Sequence, residues 1–143
     1  MRRWSLVLGL CAALLFGYEG GTLSDYSQSC TSTGGFLSGR TITCSGQAQS
    51  LSGSVRIEFG DDEDELSGTY RLAAEISVDR GEARVYSYDA DGERFPLDTV
   101  SVRAPLRVEE VVIEPFNDSS VFFINAGEGE IEDLRYEGRI EPV

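Results

Sequence analysis

The chain has 143 residues, enough for one folded domain, and it carries 25 acidic residues against 12 basic ones, all arginine, for a formal net charge of −13. A surface this acidic repels phosphate backbones and anionic headgroups, which argues against nucleic-acid binding and electrostatic membrane binding. Without histidine or lysine the chain lacks an imidazole base and a Schiff-base or P-loop lysine, so only a carboxylate pair, as in glycoside hydrolysis, would remain for catalysis, and we predict that it is not an enzyme.

Residues 1–20 have the pattern of a secretory signal peptide or a short membrane anchor. Arg2 and Arg3 provide a basic start, and an apolar run follows from Ser5 to Phe16. This run is shorter than the roughly 20 residues that a transmembrane helix needs. Cleavage near Gly17–Gly21 is the leading expectation, and lipidation at Cys11 or an uncleaved anchor are the alternatives. We therefore expect an extracytoplasmic protein, whether secreted, periplasmic or at the cell surface, that meets a membrane only through this segment.

Residues 21–38 are small and polar without periodicity, and we predict that they form a loose leader carrying Cys30. An even pair of cysteines in an exported chain indicates a disulfide, and Cys30 and Cys44 are the pair that remains after the N-terminal segment. Closing a loop of about 15 residues stabilises the fold by about 3 kcal/mol in the chain-entropy model. A zinc site needs more ligands than two cysteines without histidine provide. The sequence therefore predicts a disulfide between Cys30 and Cys44.

From residue 39 onward, short runs of alternating apolar and polar residues are separated by turn signals. SVRIEFG is one such run, and TYRLAAEISVD is the clearest. A period of two along this segment predicts a strand with one face on a core. The predicted inward residues are Tyr70, Leu72, Ala74, Ile76 and Val78.

The second half of the chain continues the pattern. ARVYSYD ends at the turn DADGE, whose Asp-Gly pair is a hairpin signal. TVSVRAPLRVEEVVIEPF contains two strands that break near Ala104-Pro105, because proline cannot donate to a central ladder. VFFINA is a continuous apolar run and predicts a central strand buried on both faces. LRYEGRIEP closes the chain, and since Ile131 is out of phase with Leu134 we predict a bulge at Glu132–Asp133.

These segments amount to about seven to nine strands, with turns about every 8–12 residues and no helical pattern after the N-terminal segment. The sequence therefore predicts an all-β domain over residues 39–143, an antiparallel β-sandwich of the immunoglobulin-like or jelly-roll-like kind. A small β-barrel is the alternative.

Two acidic turns are candidates for a calcium site. GDDEDELSG joins two predicted strands, and YDADGE has aspartates at alternate positions before a glycine. Calcium takes six to eight oxygen ligands, which flexible loops of carboxylates and carbonyls can supply. The alternatives are a solvated hairpin tip for the first turn and an ordinary Asp-Gly hairpin for the second. The candidate ligands are Asp61, Asp62, Asp64, Glu65, Asp89 and Asp91.

The aromatic residues near the DADG turn are candidates for carbohydrate binding. Tyr86, Tyr88 and Phe95 flank this turn, and the chain has no tryptophan after Trp4 to serve as a sugar platform. Cross-strand packing is the alternative role for the same rings.

Taken together, these features predict an exported, non-enzymatic β-sandwich that acts as an interaction or structural module. The expected partner is a protein or polysaccharide at the cell surface, and the expected cofactor is none apart from an optional calcium ion. A carbohydrate-binding module is the first alternative function. A glycoside hydrolase that uses carboxylates alone is the second.

Overall fold

A computed structural model describes residues 20–34, 40–60, 66, 68–117 and 119–143. These residues form eight β-strands: β1 (Thr22–Ser24), β2 (Ser27–Thr33), β3 (Thr41–Glu58), β4 (Tyr70–Ser77), β5 (Glu82–Tyr88), β6 (Arg94–Ser101), β7 (Leu106–Ile113) and β8 (Ser120–Pro142). Within these ranges there is no helix long and apolar enough to cross a membrane. The predicted N-terminal segment, apart from Gly20, lies outside the described residues.

Two long strands organise the molecule, because β3 and β8 pair with each other and run through both layers of a sandwich. The first layer contains β2, the first half of β3, the second half of β8, β4 and β7. The second layer contains β1, the second half of β3, the first half of β8, β5 and β6. All pairings among these eight described strands are antiparallel, which confirms the predicted all-β sandwich. The described sheets do not close into a barrel, since β1, β2, β6 and β7 each pair on one side only.

The long strands change their inward phase where they pass between the layers. In β3 the buried Ala48 and Leu51 are three residues apart, and in β8 so are Ile131 and Leu134. Ala48 lies opposite Leu134 and Leu51 lies opposite Ile131, so both strands turn over at the same point. Asp133 has a φ of 53°, a left-handed conformation that allows this turn in β8.

The irregularity at Glu132–Asp133 is therefore not the predicted bulge, because neither strand gains a residue there. Two residue offsets between β3 and β8 lie closer to the start of β8: Val121 is an extra residue between the pairs Ile57–Phe122 and Glu58–Ser120, and four residues, 126–129, lie opposite Gly53. Gly127 and Gly53 both have positive φ angles, 66° and 71°, which suits glycine at this excursion.

Aromatic rings join the two layers in the core. The Phe59 and Phe122 ring centroids lie 5.6 Å apart in an edge-to-face contact, and Tyr136 of the first layer lies 6.1 Å from Phe122. A β-carbon at Gly138 would lie 2.7 Å from the Phe59 ring, so a glycine is required beneath it. The faces predicted for TYRLAAEISVD, the break at Pro105 and the burial of Val121–Ile124 are all confirmed.

The prediction of a loose leader at residues 21–38 is wrong for its described part, because residues 22–24 and 27–33 form β1 and β2. Strand β2 pairs with β3 at seven successive positions, and Leu23 and Tyr26 pack against the core. The hydrophobic pattern did not reveal these strands, because β2 is a polar strand that a backbone ladder and a cross-link hold in place, without a run of buried apolar residues.

Candidate functional site

The outer surface of the second layer presents arginines and aromatic rings in register. Ala83, Val85 and Ser87 of β5 point inward and are buried, so the alternate residues of this strand face outward. Across four strands the pairing gives one outward row, and its members are Arg56, Phe123, Tyr86 and Pro96. The adjacent outward row contains Ser54, Asn125, Arg84 and Thr99. We call this surface the arginine–aromatic face, defined by Arg56, Arg84, Tyr86, Arg94 and Phe123.

Phe123 is the centre of this face. The Arg94 guanidinium carbon lies 3.9 Å from the Phe123 ring centroid, and the Tyr86 ring meets Phe123 edge-on at 5.9 Å. The arginine covers the ring, and Phe123 is only 6% exposed. Such a cation–π contact stabilises by about 0.5–2 kcal/mol. A guanidinium held over a ring keeps its N–H donors at its perimeter, where they can form paired hydrogen bonds to a carboxylate.

The charge of this face is opposite to that of the whole chain. Its two rows contain Arg56 and Arg84 and no carboxylate, and Arg94 lies beside them. Within the described ranges no carboxylate lies within ion-pair distance of Arg84 or Arg94. Arginines on other surfaces do have such partners, as in the contact of 2.9 Å between Arg135 and Asp79. The face is therefore a local cationic patch on an acidic molecule.

The three aromatic residues singled out from the sequence do not form one platform. Tyr86 is half-buried and faces outward. Tyr88 faces the same way but is 3% exposed, because Phe116 stacks on it at 5.1 Å. Phe95 lies opposite Ser87 and packs against the core. Only Tyr86 of the three contributes to the arginine–aromatic face.

Sequence reasoning missed Phe123, Arg94 and Arg56 as site residues. The run VFFINA correctly indicated a strand covered on both faces, but the cover over Phe123 is an arginine side chain rather than another layer. The signal that could have found the face is the alternation of Arg84 with Tyr86 on an outward phase. The partners on β6 and β8 follow only from the pairing of distant strands.

The candidate calcium ligands divide between the two turns. Asp61, Asp62, Asp64 and Glu65 lie outside the described residues, so a calcium site there stays a prediction. In the second turn the Asp89 carboxylate accepts the backbone N–H groups of Asp91 at 2.9 Å and Glu93 at 3.0 Å. No cluster of three or more metal-ligating side chains occurs in the described part of the chain. The structure gives Asp89 a role in fixing the hairpin turn.

We expect the substitution Asp89→Ala to lower the free energy of unfolding by about 1–2 kcal/mol, because two backbone donors lose a charged acceptor. Asp89→Asn should retain most of the stability, since the amide oxygen can still accept. Urea denaturation of the three proteins measures this. Equal losses for the alanine and asparagine variants would contradict the assigned role.

The predicted disulfide between Cys30 and Cys44 is confirmed, and it links β2 to β3. Next to it, the Gln28 side-chain amide donates to the Glu58 carbonyl at 2.8 Å. The Tyr136 hydroxyl donates to the Gln28 side-chain oxygen Oε1 and also contacts the Tyr26 hydroxyl. Burial raises the pKa of Tyr136 well above its usual value, so the hydroxyl stays protonated near neutral pH. These contacts hold the edge of the first layer and have a structural role.

The fold and these surfaces define the chain as an antiparallel β-sandwich protein with a cross-strand disulfide and a cationic, aromatic outer face. Neither a protein-family model nor a curated protein sequence matches it. Solved structures with a similar arrangement include procruciferin, an 11S globulin from Brassica napus (15% identity, 71% of this chain and 20% of that chain, TM-score 0.33). The apo structure of BiXyn10A CBM1 is similar over 87% of this chain and 98% of its own (10% identity, TM-score 0.38).

A protein from Bacillus endospore appendages, which form disulfide-linked pili, is similar over 96% of this chain and 98% of its own (9% identity, TM-score 0.35). The chain spans only 20% and 25% of the first two globulin chains that it matches. Likenesses at these TM-scores carry no functional conclusion, so the function must be argued from the surfaces of this molecule.

Proposed function

We propose that this protein is an exported, non-enzymatic binding module, and that its arginine–aromatic face binds a polysaccharide that carries carboxylate groups. The observation that carries the proposal is Arg94, held 3.9 Å over Phe123 and beside Tyr86 with no carboxylate partner among the described residues. Sugar rings pack on aromatic surfaces, and a guanidinium matches a carboxylate geometrically. A uronic acid residue has both a sugar ring, which can pack on the aromatic rings, and a carboxylate, which can pair with the guanidinium.

The spacing of charge on the ligand matters because the protein itself has a net charge of −13. A nucleic acid carries one charge about every 1.7 Å and would meet strong repulsion from the rest of the surface. A polysaccharide with one carboxylate per sugar, or fewer, spreads its charge more thinly. At physiological salt the screening length is about 8 Å, so contacts at the cationic patch dominate over distant acidic groups.

Export is supported by the disulfide, because such bonds persist in oxidising compartments and are rare in the cytosol. The basic and apolar N-terminal segment has the composition of a signal peptide. Lack of catalysis is supported by the residue set, which contains neither histidine nor lysine. Burial raises the pKa of Tyr136, and its hydroxyl is engaged in the β2 contacts rather than facing an open site.

The test is binding to polygalacturonate, with an uncharged glucan of similar length as the comparison ligand. We expect wild-type protein to bind polygalacturonate and Arg94→Ala to weaken binding by about ten-fold, a loss of about 1.4 kcal/mol. Tyr86→Ala should weaken binding by about three-fold or more, since it removes ring surface next to Phe123. Isothermal titration calorimetry in 0.15 M salt provides the constants.

The matched control is Arg139→Ala, which removes the same charge from an exposed position on the outer face of the first layer. Its affinity should stay within about two-fold of wild type, because only non-specific attraction changes. If Arg139→Ala weakened binding as much as Arg94→Ala, or if wild-type protein bound neither polymer, the proposed function would be wrong. Preference for the neutral glucan would transfer the proposal to an uncharged sugar ligand.

Calcium remains an optional addition to this function. The acidic run from Asp61 to Glu65 could supply carboxylate ligands, whereas Asp89 is engaged in its own turn. A thermal melt with calcium and then with chelator tests the idea. An unchanged melting midpoint would mean that calcium does not stabilise the protein.

A further inference from the structure

Among the strands that the structure describes, four lie at sheet edges, and three of these carry features that block the addition of another strand. Strand β1 has only three residues. Strand β6 contains Pro96 and an extra residue at its register shift opposite Val85 and Tyr86. Strand β7 places Glu109 and Glu110 opposite the single residue Ala73. Short length, proline, bulges and charge are the usual protections of a sheet edge.

Strand β2 has none of these protections. Its seven residues pair with β3 without any shift of register, and the sequence SQSCTST contains no charge and no proline. The outward residues of the neighbouring stretch of β3, which include Thr43 and Ser45, are uncharged as well. The disulfide at Cys30 also fixes the middle of the strand to β3.

The backbone groups on the open side of β2 can be identified from the disulfide. The Cα atoms of Cys30 and Cys44 are 4.1 Å apart, the short spacing of a pair that does not exchange backbone hydrogen bonds. The N–H and C=O groups of Cys30 therefore point away from β3. By the alternation of an antiparallel ladder, those of Gln28 and Ser32 do the same. Within the described ranges, β2 has β3 as its one strand partner.

We propose that this edge binds a second copy of the protein, with β2 pairing antiparallel to β2 of its partner about a two-fold axis. The charge distribution selects this occupant, because a chain with a net charge of −13 repels its own copy at most surfaces. About a two-fold axis each surface meets its own copy, so acidic surfaces and the cationic arginine–aromatic face would both repel, whereas the uncharged edge beside an uncharged stretch of β3 would not. Serine and threonine side chains would face one another, and the two-fold axis closes the assembly at a dimer.

The contact area of two short strands is small, so the dimer should be weak and dependent on concentration. Amide hydrogen exchange followed residue by residue by NMR is the direct measurement, on the oxidised protein as exported, at about 20 μM and about 1 mM. We expect the amides of Gln28, Cys30 and Ser32 to gain about ten-fold protection at the higher concentration. Those of Ser29 and Thr31, which face β3, should be protected equally at both concentrations.

Two outcomes of this measurement overturn the proposal. Amides of Gln28, Cys30 and Ser32 that exchange freely at both concentrations would mean that the edge stays open. Equal protection at both concentrations would mean that another part of the same chain covers it. Sedimentation velocity over the same range must also show a shift from the monomer mass towards twice that mass.

Paired variants separate the edge from the surface as a whole. Thr31→Glu adds a charge to β2, and Thr43→Glu adds the same charge on the same outward face one strand further in. Thr31→Glu should abolish the dimer, whereas Thr43→Glu should weaken it less than about three-fold. Ser32→Pro removes an outward N–H while keeping the ladder to β3, and it should also give a monomer. Equal effects of the two glutamate variants would overturn the inference, which does not depend on the polysaccharide proposal.

Discussion

Replacing Phe122 by alanine should lower the free energy of unfolding by about 4 kcal/mol, because a fully buried ring is exchanged for a cavity. Phe122 is inaccessible to solvent, and its ring contacts Phe59 and Tyr136 from opposite layers of the sandwich. The loss therefore affects the contact between layers as well as the area buried. Urea denaturation followed by tyrosine fluorescence measures the change.

The matched control for this experiment is Val112→Ala, since Val112 is 56% exposed on β7. Its effect should stay within about 0.5 kcal/mol. Phe122→Leu should fall between the two, as it keeps most of the buried volume. A loss below about 1 kcal/mol for Phe122→Ala would mean that the two layers do not pack through these rings.

Removing the disulfide should cost about 3 kcal/mol, the chain-entropy value for a closed loop of about 15 residues. Either reduction of the wild-type protein or the double substitution Cys30→Ala with Cys44→Ala tests this. Cys44 is fully buried, and alanine is suitable there because its side chain has no polar atom that would be left unpaired. The measurement is the denaturant midpoint with and without reductant, with the double variant as the control that reductant should not affect.

The positions of the amides that lose protection first distinguish the effect of the disulfide from a general loss of stability. Reduction should speed amide exchange at Ser29 and Thr31, which bond to β3, before it affects Ile124 in the centre of the second layer. An unchanged midpoint on reduction would mean that the ladder and the Gln28 contacts hold β2 without the cross-link.

Strands with one buried face could be predicted because burial of one face requires apolar and polar residues to alternate along the sequence. Alternation from Tyr70 to Val78 fixes both the strand and its inward face, and Pro105 fixes the break between β6 and β7. The disulfide was equally predictable, since only one pair of cysteines remained after the N-terminal segment. Strand β2 was missed because a polar edge strand has no periodic signal of its own.

Composition and periodicity by themselves determined the all-β sandwich, the cross-link and the exclusion of histidine and lysine chemistry, because these depend on residue type and short-range spacing. Only the tertiary structure decided that Arg94 lies over Phe123, that Phe95 faces the core while Tyr86 faces outward, and that β2 is the unprotected edge. Each of these depends on which distant strands pair and in what register. One extra residue, such as Leu97 at the shift in β6, changes which face the residues beyond it occupy, and no local pattern records that choice.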